Sequence, residues 1–102
     1  MKLQIVWHEI DRDQAKESVV MDKLAALDKL LVDWEEELKE AVVRIEEGDR
    51  WGYKISFSMR IGKKDVYAEA YEEDLVNAVV AVREKVERQI KEVKEDLSWK
   101  QD

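Results

Sequence analysis

Lys85, Arg88, Lys91 and Lys94 stand three residues apart late in the chain, a run of cations suited to following the phosphates of a nucleic-acid backbone. Glu84, Glu87, Glu92 and Glu95 lie among them. A mixed-sign, solvated helix face is therefore the competing reading, and the one these residues favour by themselves. A second patch, Lys54, Arg60, Lys63 and Lys64 with Ser56 and Ser58 between the first two, can hold a polyanion on an open sheet face. Lysines that guard a sheet against aggregation explain it more simply. Aromatic platforms for single-stranded bases are sparse there.

Catalysis has less to work with. His8 is the only histidine, there is no cysteine, and no nucleophile stands at a recognisable motif spacing from it. The carboxylates occur in runs that solvate or cap, without calcium-loop spacing. Three glycines in all leave no phosphate-cradling loop. No enzyme activity and no cofactor or metal are expected. Trp7, Trp34, Trp51, Trp99 and Tyr67 can either anchor a partner or cover the rims of a small core. Rim cover is the plainer reading, and Trp99, just past the last apolar repeat, is the one expected to be exposed.

At 102 residues the chain has the size of one domain, 1–102, with room for an ordinary hydrophobic core. No apolar run approaches a membrane span, and Met1-Lys2-Leu3-Gln4-Ile5-Val6 does not look like a signal peptide. A place inside the cell, in the cytoplasm, is expected. The formal charge of −7 is awkward for a polyanion binder, but its distribution matters more than its sum. Residues 33–50 carry eight carboxylates against three cations, and 65–82 carry five against none. Residues 51–64 hold four cations and no acid, and the last twenty balance six against six.

These groups must be positioned by elements legible in the hydropathy pattern. Leu3 and Ile5 alternate with polar neighbours as a first strand. Asp11 or Asp13 can cap a helix, Asp11 with Gln14 resembling a capping box. Ala15, Val20, Leu24, Leu27 and Leu31 then form its apolar stripe, and the helix is expected to end within Leu31–Glu37. Ala41, Val43 and Ile45 alternate in a second strand, and Gly48-Asp49 gives a turn. Tyr53, Ile55, Phe57, Met59 and Ile61 alternate strictly in a third. Gly62-Lys63-Lys64 turns into a fourth, with Val66, Ala68 and Ala70 inward. Glu72, Glu73 and Asp74 favour a helix start, followed by Leu75, Val79, Val82, Val86, Ile90, Val93 and Leu97 at helical spacing. The expected fold is α+β in the order β-α-β-β-β-α, a four-stranded sheet with both helices on one face.

That order and several local strings resemble the ribosome hibernation-promoting factor and ribosome-associated inhibitor A family, also called the sigma-54 modulation protein family. The strings are Met1-Lys2-Leu3-Gln4-Ile5, Ile61-Gly62, Val66-Tyr67-Ala68-Glu69-Ala70, Asp74-Leu75, Asn77-Ala78-Val79 and Lys85-Val86-Glu87-Arg88-Gln89-Ile90 with Lys94. The likeness covers most of the chain, interrupted by about four extra residues near Trp34–Glu37, and fits the short type without a dimerisation domain. It implies binding to the small ribosomal subunit, at 16S rRNA near the decoding region, and silencing of idle ribosomes. Carried over by position, it implies RNA contacts from Lys23, Lys85, Arg88, Gln89 and Lys94, which with Lys91 make the candidate interface. Glu17 and Ala26 stand where basic residues are usual, Trp7 where glycine is, and Glu92 and Asp96 interrupt the last helix's lysines. These changes motivate the alternative, a protein-interaction module that keeps the fold without rRNA binding, with the open sheet face as a candidate homodimer surface.

Overall fold

The structure is a computed structural model that describes residues 1–32, 40–48, 50–61 and 63–100, the last five of these by backbone alone. Trp34, the insertion near Trp34–Glu37, Asp49, Gly62 and the side chains of Asp96, Leu97 and Trp99 lie outside what is described. Chain order is β1 Lys2–His8, α1 Gln14–Leu24, a 3₁₀ helix Ala25–Leu30, β2 Glu40–Glu47, β3 Tyr53–Ile61, β4 Lys64–Glu72 and α2 Leu75–Lys100. The sheet order is β1-β2-β3-β4. β1 runs parallel to β2, whereas β2–β3 and β3–β4 are antiparallel.

Register explains the core. Ile5, Val43, Phe57 and Ala68 lie in one cross-strand row, and Trp7, Ile45, Ile55 and Ala70 in the next. Their side chains share one face because strand side chains alternate with period two. From β2 to β4 that face is buried, together with Val20, Leu24 and Leu27 of the first helical segment and Val79, Val82, Val86 and Ile90 of α2. In β1 the same face is only half-buried. The opposite face carries Gln4, Val42, Ser58 and Tyr67 in one row and Val6, Arg44, Ser56 and Glu69 in the next.

Two details of the first helix differ from expectation. Asp13 is the cap, its carboxylate accepting from the Ala15 and Lys16 amides at 3.0 and 3.2 Å, so Asp11 and Gln14 form no capping box. The α-helix ends at Leu24, before the expected Leu31–Glu37 window, and tightens into 3₁₀ turns. Val20, Leu24, Leu27 and Leu31 stay buried through the change. Ala15 is exposed: five residues before Val20, it falls about 140° away around an α-helix. Asp74 caps α2 by accepting from the Val76 amide at 2.7 Å.

Candidate nucleic-acid interface

On a helix of 3.6 residues per turn, positions three apart fall back by about 60° per step. Lys85, Arg88, Lys91 and Lys94 therefore do not share one face; they wind from the β4 side of α2, over its crest, to the α1 side. Lys85 ends on the sheet edge, its Nζ donating to the Glu69 carbonyl at 2.8 Å. Arg88 and Lys91 occupy the crest, exposed and without an ion pair among the described residues. Lys94 is half-buried and has a partner. Lys23, half-buried in the last turn of α1, meets α2 through its backbone: Arg83 Nη1 donates to the Lys23 carbonyl at 3.3 Å. Arg83 Nε lies 3.4 Å from Glu87, near enough for an ion pair but out of line for a hydrogen bond.

Gln89 does something the spacing does not announce. Its Nε2 donates to the Tyr67 carbonyl at 2.6 Å and its Oε1 accepts the Tyr67 amide at 3.1 Å. The side-chain amide thus stands in for a neighbouring strand at the outer edge of β4, and Lys85 covers the next carbonyl on the same side. Unpaired edge groups template association between chains, so this pair closes one of the sheet's two edges. Gln89→Ala is expected to cost roughly 1–2 kcal/mol in thermal or denaturant unfolding and to introduce concentration-dependent self-association in light scattering. A variant that scatters like the parent at every concentration would remove the edge-closing role.

The second patch disperses. Lys54 pairs with Glu69 at 3.7 Å and Arg60 with Asp65 at 4.0 Å, across exposed surface where such pairs are weak. Arg44 and Glu46 lie 3.5 Å apart on the same face. Lys63 and Lys64 are exposed at the β3–β4 end. Because α2 descends along β4, with Gln89 at the level of Tyr67, the crest cations Arg88 and Lys91 lie toward that same end.

At the opposite end, Trp7 and Glu17 explain one another. The Trp7 indole N–H donates to the Glu17 carboxylate at 3.1 Å, and the Arg12 guanidinium grips both its oxygens at 2.9 and 3.3 Å. These bonds, Arg12's first and Trp7's second, hold the Glu17 carboxyl below the usual carboxylate range. The Glu17 carboxylate is thus engaged by intramolecular bonds. Because the folded state favours its ionised form, its stabilisation is full above an ordinary carboxyl pKa of 4.5 and fades as pH falls through the lower folded value. Glu17→Gln is expected to melt below the parent at pH 7, the gap narrowing as the pH falls below 4.5. A gap that stays constant across this range would refute the assignment. Lys16, beside it, donates to the Tyr53 hydroxyl at 2.8 Å and lies 5.2 Å from the ring centroid; the hydrogen bond to Tyr53 raises its pKa.

Of the expected aromatics, Trp7 is half-buried, whereas Trp51 and Tyr67 are exposed. Among the described residues no cluster of three or more His, Cys, Asp or Glu side chains is arranged to hold a metal, and no helix is long and apolar enough to cross a membrane.

Residues 3–98 match the family model described as sigma 54 modulation protein / S30EA ribosomal protein. Among solved structures, the chain is similar to a ribosomal subunit interface protein from Coxiella burnetii at 14% identity and TM-score 0.77, covering 93% of this chain and 99% of that one. It is also similar to the N-terminal domain of Protein Y from Thermus thermophilus at 21% identity and TM-score 0.76, covering 91% and 99%. These two likenesses establish the fold. No curated protein matches the chain.

Proposed function

The chain belongs to the sigma 54 modulation protein / S30EA ribosomal protein family, and from that membership we propose that it silences idle ribosomes by occupying the decoding region of the small subunit. The family is one of ribosome-associated hibernation and modulation factors without catalytic activity, and that coarse role is this chain's as well. The finer reading is that its cations meet 16S rRNA phosphates in the cytoplasm. The supporting observation is the crest of α2, where Arg88 and Lys91 stand exposed without an intramolecular ion pair among the described residues. Lys23 and Lys94 flank the crest in this reading. Lys85 and Gln89 contribute by fixing the helix to β4. The acidic end carrying Glu17, which phosphate repels, would point away from the RNA.

Co-sedimentation of the purified protein with ribosomes from its own source, repeated over a salt series, tests this. Stoichiometric pelleting that weakens steeply with salt is expected, because each phosphate neutralised releases counterions. Absence of pelleting at low salt would end the rRNA reading. It would favour the alternative, a protein-interaction module using the open sheet face toward a second copy. That face supports the alternative through its internally paired charges and a shallow depression of about 340 Å³ containing Val42 and Tyr67.

A further inference from the structure

The turn between β2 and β3 presents a large aromatic side chain to solvent. Trp51 is 56% exposed. Its ring meets that of Tyr71, itself 41% exposed, edge to face, with centroids 5.6 Å apart and planes at 62°. Gly48, Trp51 and Gly52 of this turn are closely specified. The Tyr71 hydroxyl donates to the Trp51 carbonyl, the Gly48 amide donates to the Gly52 carbonyl at 3.0 Å, and Gly52 takes φ 80°. Tyr71 packs so tightly on Gly48 that a Cβ there would collide with its ring. Trp51 is thus held outside the core by its surroundings. An exposed, oriented indole of this kind is what interfaces use as an anchor.

Beside it lies a hollow of about 310 Å³ lined by Glu47, Arg50, Tyr53 and Glu73 as well as Trp51. Glu47 and Glu73 are exposed and make no ion pair among the described residues. Among the described residues, Arg50 is the one cation in the lining. In the segments 9–17, 47–52 and 72–74 the described residues include eight carboxylates against Arg12, Lys16 and Arg50. A phosphate-bearing partner is repelled here, and a cationic one attracted. The same end already seats an ammonium against an aromatic ring in the Lys16–Tyr53 contact. No such cation covers Trp51 or Tyr71 among the described residues.

We infer that the Trp51 turn docks a cationic polypeptide segment, with an arginine side chain stacked on the indole and Glu47 and Glu73 binding neighbouring cations. The partner is a peptide rather than a small polyamine, because a planar guanidinium both stacks on indole and hydrogen-bonds carboxylates in its plane. This surface lies at the other end of the molecule from Arg88 and Lys91 and does not depend on rRNA binding.

The test is fluorescence anisotropy of a dye-labelled Arg-Gly-Arg-Gly-Arg-Gly peptide titrated with the full chain at low salt. Saturable binding is expected, with Trp51→Ala weakening it by about tenfold and the double variant Glu47→Gln, Glu73→Gln by a similar factor. Glu84→Gln with Glu95→Gln makes the same charge change on α2 and is expected to alter binding less than about twofold. The Glu47/Glu73 variant breaks no side-chain bond among the described residues, so it remains informative if Trp51→Ala melts the turn. Equal loss from the two glutamate pairs, or binding indifferent to Glu47 and Glu73, would mean attraction to overall charge and would overturn the proposal. Spermine binding as tightly as the peptide would overturn it too.

Discussion

Replacing Arg88 and Lys91 together by glutamate is expected to weaken ribosome binding by roughly 10- to 100-fold and to lower the salt dependence by about two counterions. Both side chains are exposed on the crest of α2 and make no ion pair among the described residues. Folding should therefore be little affected, and the thermal midpoint should stay within a few degrees of the parent. That separation makes the experiment clean. Lys85→Glu is a less direct probe, since it also takes the ammonium from the Glu69 carbonyl and loosens the helix on the sheet. Binding of the double variant equal to the parent at every salt concentration would exclude this face as the rRNA contact. The ribosome-associated role would then need a different surface.

Phe57→Ala should have the largest effect on stability. Phe57 is fully buried near the centre of β3, opposite Val43 of β2 and Ala68 of β4. Neither neighbour can fill the void without moving its own strand. Truncations of this kind cost about 3–5 kcal/mol, a large share of the roughly 5–15 kcal/mol that holds a domain together. A fall of roughly 15–30 °C in the thermal midpoint is expected. Ser56→Ala, one residue away on the opposite face, should change stability by no more than about 0.5 kcal/mol. A Phe57→Ala protein melting within a few degrees of the parent would mean the core closes around the gap, contrary to the packing described.

Elements whose signal is a local period were legible without coordinates. The alternation of Tyr53 through Ile61 is β3, and the run from Leu75 to Ile90 is the buried stripe of α2. What escaped reading depends on meetings between distant residues. Nothing near Gln89 announces the Tyr67 backbone 22 positions away, nor does Trp7 announce Glu17. Arg83 reaches the Lys23 carbonyl across 60 positions, while its pairing with Glu87 follows ordinary i,i+4 spacing. Lys85, Arg88, Lys91 and Lys94 show an even spacing in the sequence. Their separate destinations follow only once β4 and α1 flank the helix. The switch to 3₁₀ at Ala25 has no glycine or proline to mark it.

The parallel pairing of β1 with β2 bears on the expected order of assembly. Lys2 faces Glu40 across the ladder, so forming that pair closes a long loop and carries its entropic cost in advance. By contrast β2, β3 and β4 are joined by short turns and share a fully buried face that α2 covers. None of the seven residues of β1 reaches full burial. The meander with its long helix is therefore expected to form first and β1 to join late, an order that substitutions in β1 check by raising the unfolding rate while leaving the folding rate nearly unchanged. Opening is expected to run in reverse: among the strands, amide exchange should be fastest in β1, whose detachment frees a half-buried Trp7 and the edge of β2 while the platform beneath Arg88 and Lys91 remains whole.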